Sequence, residues 1–190
     1  ARREPWVYGE PYTAIIREFM QLRQRLLPYF YTLAWETSRT GYPLLRPLWW
    51  GDPTDTKLWQ VEDAFMLGDA LLVAPALAAE QDLRDLRLPS GRWYSFWDDT
   101  TFQGPAEIDL PVTLERIPLL VRAGCMLPLA SSENLALHFY APDGKEIQAQ
   151  PQKLYSDAGD GFGAQRVDTF QLGSRNGAPV INWQSEGQFP

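Results

Sequence analysis

The sequence predicts a mainly β protein in which a long helix precedes an antiparallel β-sandwich and part of a second small β-domain follows it. Two observations predict this order. Apolar residues recur at three- and four-residue spacing between Tyr12 and Arg39, and after Gly41 the chain changes to short apolar runs separated by Pro, Gly and Asp. The first pattern is typical of an amphipathic helix and the second of strands joined by turns.

The helix over residues 12–39 is expected to be interrupted once. Pro28 removes a backbone donor, so it should kink the helix or split it in two, and Gly41 can adopt the left-handed conformation that ends a helix. Apolar residues extend around the cylinder, whereas a sandwich covers one side only. We therefore expect the helix to be poorly shielded, so that the chain self-associates through residues 12–39 or the helix collapses onto the sandwich. The apolar positions are Ile15, Ile16, Phe19, Met20, Leu22, Leu26, Leu27, Phe30, Leu33 and Ala34.

Residues 42–130 are expected to form the sandwich, because apolar runs recur there about every ten residues between turn residues. The polar stretch 131–134 suggests a domain boundary. We therefore divide the chain into residues 1–41, 42–130 and 131–190, the last segment being marginal for an independent core. The predicted core side chains are Leu72, Val73, Trp93, Phe96, Leu119 and Val121.

Composition excludes several classes of function. Hydrophobic residues make up 45% of the 190 residues and aromatics 13%, which is typical of a folded protein. The net charge of -7, with Lys and Arg scattered singly, argues against a nucleic-acid partner. No apolar run is long enough for a membrane span, and the amino end is neither a signal peptide nor a transit peptide. The location is left open, with the cytoplasm favoured.

Neither a cofactor nor a metal is expected. His138 lies in an alternating strand pattern with no second His or Cys at metal-ligand spacing. Asp157 and Asp160, with their glycines, resemble a calcium loop only superficially. An EF-hand loop needs a bidentate Glu at its twelfth position, where this chain has Asp168, and glycines occupy interior positions that should carry ligands. A plain turn is favoured.

Three segments of the chain form an ordered set. They are REPWVYGEP at 3–11, LLPYFYTLAWETSRTGYPLLRPLWW at 26–50, and DAFMLGDALLVAPAL at 63–77 followed by LRLPSGRWYSFW at 86–97. Together they resemble glycoside hydrolase family 31, the α-glucosidase and α-xylosidase family. IPLLVRAGCMLPL and LYSDAGDG resemble later parts of the same family, so the resemblance covers the chain from Ala1 to residue 165.

The resemblance implies a fold and the absence of catalytic residues. The helix would be the last of a (β/α)8 barrel, and the strands would form a proximal C-terminal β-sandwich and the start of a distal β-domain. The family's nucleophile and acid/base aspartates and its sugar-binding histidine would all precede Ala1. Retaining hydrolysis needs two carboxylates about 5–5.5 Å apart. If the adjacent pairs Glu62-Asp63 and Asp98-Asp99 lie in strands, their side chains point to opposite faces and cannot flank one bond, so solvated surface acids are the favoured interpretation.

Glu4 and Trp6 are the candidate substrate-binding residues. In the family they would follow the last barrel strand, and barrel active sites lie at the carboxyl ends of the strands. The alternative is that this segment only connects the barrel rim to its final helix, with Trp6 packed beneath.

Four later tryptophans are assigned to core or interdomain packing in preference to sugar stacking. If Trp49 and Trp50 lie in a strand, they face opposite ways, so at least one belongs to the core. Trp93 and Trp97 would share one face of a regular strand.

The leading interpretation is a non-catalytic C-terminal part of a retaining α-glycosidase that supports the barrel structurally. The parent would hydrolyse α-linked glucose or xylose and bind an oligosaccharide or α-glycoside substrate. The alternatives are a self-standing carbohydrate-binding module, which requires tryptophans exposed in a row, and an independent hydrolase with an unrecognised site. The sequence leaves open glucose or xylose specificity, and hydrolase, transferase or lyase activity of the parent.

Overall fold

The computed structural model describes residues 4–79, 81–131, 134–142, 149–175 and 178–189. Its strands pair antiparallel in sheets of six, three and two strands, which confirms the mainly β fold class. Short 3₁₀-helices lie at Pro5–Tyr8, Leu48–Trp50 and Thr56–Gln60. The longer elements are α1 (Tyr12–Arg25), α2 (Leu27–Thr40), β1 (Leu45–Pro47), β2 (Phe65–Leu67), β3 (Leu71–Val73), β4 (Leu83–Ser95), β5 (Thr101–Pro111), β6 (Leu119–Arg122), β7 (Met126–Ala130), β8 (Leu135–Phe139), β9 (Gln152–Asp157), β10 (Gln165–Arg175) and β11 (Ala178–Gly187).

The predicted interruption of the amino-terminal helix is present. Leu26 separates α1 from α2 with φ -82° and ψ -1°, and Pro28 lies in the first turn of α2, where its missing donor costs little. Gly41 ends α2 in the left-handed conformation, at φ 75°. Both local predictions from Pro28 and Gly41 are confirmed.

The six-stranded sheet has apolar residues on both faces. Its strand order is β1-β2-β3-β6-β4-β5. Because side chains alternate along a strand, Leu119 and Val121 of β6 face one way and Leu120 faces the other. The first face packs against Tyr29 and Leu33 of α2 and against residues of β7, while the second packs against the 3₁₀-helices at 48–50 and 56–60.

A β-bulge in the long β4–β5 hairpin decides which side chains enter the second cluster. Leu88 pairs with Ala106 and Gly91 with Gly104, so β4 carries one extra residue between these pairs. That residue reverses the alternation. Leu88, before the bulge, and Trp93, after it, therefore both point into the same apolar cluster.

The predicted core is confirmed at four of its six positions. Leu72, Trp93, Leu119 and Val121 are buried, whereas Val73 and Phe96 are partly buried and pack against the cluster that contains Tyr29 and Leu33. Phe96 lies in the turn that follows β4, outside the regular strand. The strand alternation assumed for it therefore does not apply.

Helix α2 is contacted on two sides, by the six-stranded sheet and by β9. On the sheet side the Tyr29 hydroxyl donates to the Leu67 carbonyl oxygen at 2.6 Å. On the other side the Trp35 ring stacks on Tyr155 of β9, with centroids 5.2 Å apart and an interplanar angle of 11°. The Tyr155 amide also donates to Thr32 Oγ1 at 3.1 Å. This contact from β9 adds to the cover by the sandwich that the sequence predicted.

Helix α1 has no buried residue, and Tyr12 and Met20 are among its exposed side chains. Self-association through residues 12–39 stays a prediction, and Leu27 and Tyr31 of α2 are exposed as well. Within the described parts of the chain, no helix combines the length and apolar character needed to cross a bilayer.

Strands β7 and β8 pair across the predicted boundary at residues 130 and 131, with Ala130 opposite Leu135. The three-stranded sheet β11-β10-β9 follows. The division into residues 1–41, 42–130 and 131–190 stays a prediction.

Candidate functional site

The predicted substrate-binding residues lie together on one exposed segment. Glu4 is the N-cap of the 3₁₀-helix Pro5–Tyr8, and its carbonyl oxygen accepts from the Val7 amide at 3.0 Å. The Trp6 side chain is 72% exposed, so it is not packed beneath the segment. Thr13 of α1 fixes the segment by donating from its hydroxyl to the carbonyl oxygens of Pro5 and Gly9. An exposed ring and an exposed carboxylate thus share a tethered turn.

The two acidic pairs singled out in the sequence do not form a catalytic arrangement. Glu62 and Asp63 are exposed and precede β2, and Asp63 is ion-paired with the buried Arg84. Asp98 follows β4, and hydrogen bonds from Ser95 and Thr100 lower the pKa of its carboxyl. A general acid needs the opposite shift. Neither pair lies in a strand, so the strand rule of opposite faces does not apply to them.

The structure brings together one pair of carboxyl groups that the sequence did not suggest. Glu36 of α2 faces Asp69, which lies between β2 and β3 and is ion-paired with Arg46. Burial, and secondarily the charge of Asp69, raise the pKa of Glu36. The cavity between them measures about 80 Å³, far below the roughly 300 Å³ at which ligand pockets begin. A sugar ring does not fit there, so the pair is structural.

A second cavity is large enough for a ligand but lacks the pair of carboxylates that a glycosidase site needs. It measures about 640 Å³ and lies between Phe19 of α1 and the segments around Pro75 and Ile117. Asp82 is the one carboxylate that lines it among the described residues. Because retaining hydrolysis needs two, this cavity does not provide a glycosidase site.

The acidic turn after β9 joins α2 to the three-stranded sheet. Asp157 accepts hydrogen bonds from the hydroxyls of Tyr31 and Tyr155, each at 2.6 Å, and from the Gly159 amide at 2.8 Å. Its oxygens therefore face protein donors. Asp168 is buried and accepts from Arg166 and from Trp183 Nε1. In the parts of the chain that the structure describes, no three His, Cys, Asp or Glu side chains are grouped to hold a metal.

Acid should weaken this junction. The hydrogen bonds from Tyr155 and Tyr31 hold the pKa of Asp157 below its ordinary value of 3.8. A carboxyl with a depressed folded-state pKa stabilises the fold above its unfolded-state pKa and loses that effect as the pH falls through the folded value. We expect Asp157→Asn to lower the Tm at pH 7, and the difference from the unaltered chain to shrink below about pH 4.

Thermal unfolding followed by circular dichroism between pH 7 and pH 3 measures the Tm difference between Asp157→Asn and the unaltered chain. Asp160→Asn changes an exposed aspartate of the same turn and serves as the matched control, with no expected change in Tm at any pH. A difference between Asp157→Asn and the unaltered chain that stays constant across the pH range would contradict the assignment.

The tryptophans are arranged differently from the sequence expectation. Trp49 and Trp50 lie in a 3₁₀-helix, with ring centroids 6.2 Å apart, so the strand rule of opposite faces does not apply to them. Trp97 lies in the turn after β4, so it does not share a strand face with the buried Trp93. Trp59, which the sequence argument passed over, stacks on Trp49 at 4.6 Å. Trp59 lies in the mostly polar segment TDTKLWQVED, and this position could have indicated an exposed ring.

Two family sequence models match the chain. The model described as the glycosyl hydrolases family 31 TIM-barrel domain matches residues 1–33, and the glycosyl hydrolase family 31 C-terminal domain matches residues 41–127. The two matches leave residues 34–40, the last part of α2, unmatched between them, and together span most of the first two thirds of the chain.

Relatives of the chain include α-glucosidases and an α-xylosidase. Neutral alpha-glucosidase C of Mus musculus is 35% identical over 85% of this chain and 19% of its own length. An alpha-xylosidase of Saccharolobus solfataricus is 34% identical over 83% of this chain and 22% of its own length. The chain thus spans about a fifth of the length of the relatives it matches.

The fold recurs in solved structures. A GH31 dextranase of Flavobacterium johnsoniae, complexed with glucose, superposes with a TM-score of 0.84 and 26% identity over 91% of this chain and 23% of that one. A cycloalternan-forming enzyme from Listeria monocytogenes superposes with a TM-score of 0.76 at 22% identity, covering 90% of this chain and 18% of that one, which shows a shared fold.

Proposed function

The chain belongs to glycoside hydrolase family 31, and from that membership we propose that it is the non-catalytic C-terminal part of a retaining α-glycosidase. The whole protein would hydrolyse α-linked glucose or xylose, with an oligosaccharide or α-glycoside as its substrate. Relatives named as α-glucosidases and an α-xylosidase support this substrate class. The role of the chain itself is to hold the last barrel helix in place.

The observation that carries this proposal is the double cover of α2. Tyr29 fixes the helix to the six-stranded sheet, and Trp35 fixes it to β9. Side chains packed on both sides leave a helix little freedom to shift, since protein interiors are packed as densely as organic crystals. Helix α1, by contrast, has no buried residue. The C-terminal sheets therefore hold α2, while α1 contacts the same core through partly buried residues such as Leu22.

Glu4 and Trp6 are proposed to contact substrate at the barrel rim. Both side chains are exposed, and the segment that carries them ends at the start of α1, as a strand-to-helix connection of a barrel does. A ring can pack on the apolar face of a sugar while a carboxylate accepts from its hydroxyls.

The carbohydrate-binding module is less well supported. Trp93 and Trp97 cannot supply an exposed row of rings to such a module, because Trp93 is fully buried and its Nε1 donates to the Pro89 carbonyl oxygen at 3.0 Å. Trp97 is also partly buried, and its Nε1 donates to Ile117. These two rings serve the core.

A glycosidase assay of the purified chain tests the proposal. We expect no turnover of 4-nitrophenyl α-glucoside or α-xyloside above that of buffer, because the described carboxylates form no pair in a sugar-sized cavity. Glu36→Gln and Asp69→Asn are the informative variants, since Glu36 has a raised pKa beside a second carboxylate. Turnover by the chain that either substitution abolishes would refute the non-catalytic role.

A further inference from the structure

We propose that the aromatic cluster Tyr42, Trp49, Trp50 and Trp59 is a binding site for an α-linked glucan chain. The choice of α-linkage rests on the proposed function. The site itself rests on the geometry of the cluster, which lies on the segment between α2 and β2.

The four rings form a continuous surface. Trp49 and Trp59 stack with centroids 4.6 Å apart and an interplanar angle of 4°, and Trp50 lies 6.2 Å from Trp49. Tyr42 meets Trp50 edge to face at 5.6 Å. Trp59 is 55% exposed, Tyr42 54% and Trp50 38%. Trp59 is therefore more than half exposed even though Trp49 stacks on one face of its ring.

Buried neighbours and hydrogen bonds hold the cluster in place. Leu48 and Leu58, which neighbour the rings in sequence, are completely buried. The Trp59 Nε1 donates to the Pro53 carbonyl oxygen at 3.2 Å. The intervening loop is fixed by Asp52, which accepts from the Ser90 amide, and by Asp55, which is bound by the Arg87 guanidinium at 2.6 Å. An exposed ring that is already immobilised loses little conformational entropy when a ligand binds.

The surroundings of the rings suit a sugar. In a 3₁₀-helix, side chains at i and i+3 lie on the same side, which places the exposed Thr56 beside Trp59. Gln60 and Lys57 are exposed on the same short helix. Hydroxyl, amide and ammonium groups around an aromatic surface can hydrogen-bond to sugar hydroxyls while the ring faces cover the apolar face of a pyranose.

The size of the surface favours a glucan over a second copy of the chain. Three large aromatic side chains that are about half exposed offer on the order of 300 Å². A stable protein–protein interface needs about 800 Å² from each partner. The cluster alone therefore falls short of a dimer interface, although it is large enough for a few sugar rings.

Calorimetric titration of the intact chain with maltoheptaose tests the site. We expect the unaltered chain to bind, Trp59→Ala to bind at least about tenfold more weakly, and Trp59→Phe, which keeps a ring on Trp49, to bind with intermediate affinity. Phe162→Ala removes a fully exposed ring in the turn after β9 and is the matched control, with unchanged affinity expected. Equal Tm values would show that each variant is folded.

Three results would overturn the assignment. They are no binding of maltoheptaose by the unaltered chain, equal binding by both Trp59 variants, and equal or tighter binding of the β-linked cellohexaose. A dimer in sedimentation that Trp59→Ala dissociates, without glucan binding, would assign the cluster to a second copy instead. None of these results bears on the glycosidase assay, so the two proposals fail separately.

Discussion

Replacing Trp93 by alanine is expected to lower the free energy of unfolding by about 3–5 kcal/mol, the usual cost of truncating a buried aromatic residue. The ring is fully buried, its Nε1 donates to the Pro89 carbonyl oxygen, and the Arg122 guanidinium lies 4.8 Å above its centroid. Alanine would leave a cavity, would leave the Pro89 carbonyl oxygen without the Trp93 donor, and would remove the ring beneath the Arg122 guanidinium.

Chemical denaturation followed by circular dichroism measures the loss in free energy of unfolding. In thermal unfolding, the Tm should fall by about 6–20 °C. Trp6→Ala makes the same chemical change at an exposed position and should alter stability by less than about 0.5 kcal/mol. Similar losses for the two variants would show that Trp93 contributes no more to the core than a surface ring.

Replacing Gly104 by alanine is expected to cost about 3 kcal/mol or more, because overpacking against the backbone has no cheap relief. A Cβ at this position would lie 1.9 Å from the Pro89 carbonyl oxygen. That oxygen belongs to the β4 bulge and accepts the hydrogen bond of Trp93. The substitution would therefore push apart β4 and β5 where the reversed alternation begins.

Gly163→Ala is the matched control, since a Cβ there meets no heavy atom within 4 Å. We expect it to leave the Tm nearly unchanged. If Gly104→Ala unfolded at the same denaturant concentration as Gly163→Ala, the close approach of Gly104 to Pro89 would not exist in solution.

Features that depend on one or two residues were predictable from the sequence. A proline cannot donate within a helix and a glycine tolerates positive φ, so the break near Pro28 and the end at Gly41 follow from the residues themselves. Burial of Leu72 and Val121 follows from apolar runs bounded by turns.

Features that depend on register or on distant pairing were not predictable. One extra residue between Leu88 and Gly91 changes the side on which Trp93 lies, and no apolar pattern reveals such an insertion. The 3₁₀-helix at 48–50 brings Trp49 and Trp50 near each other where a strand would separate them. The proximity of Glu36 and Asp69 depends on α2 packing beside the turn between β2 and β3, which local sequence does not encode.

The covering of α2 by β9 also sets an order of events during synthesis. Thr32 and Tyr155, which join the helix to that strand, lie 123 positions apart. At roughly 5–20 residues per second, a ribosome needs about 6–25 s to make the intervening chain. Throughout that interval the side of α2 that carries Trp35 has no native partner, so it is open to chaperones and to neighbouring nascent chains. The helix is therefore made well before the strand that covers it.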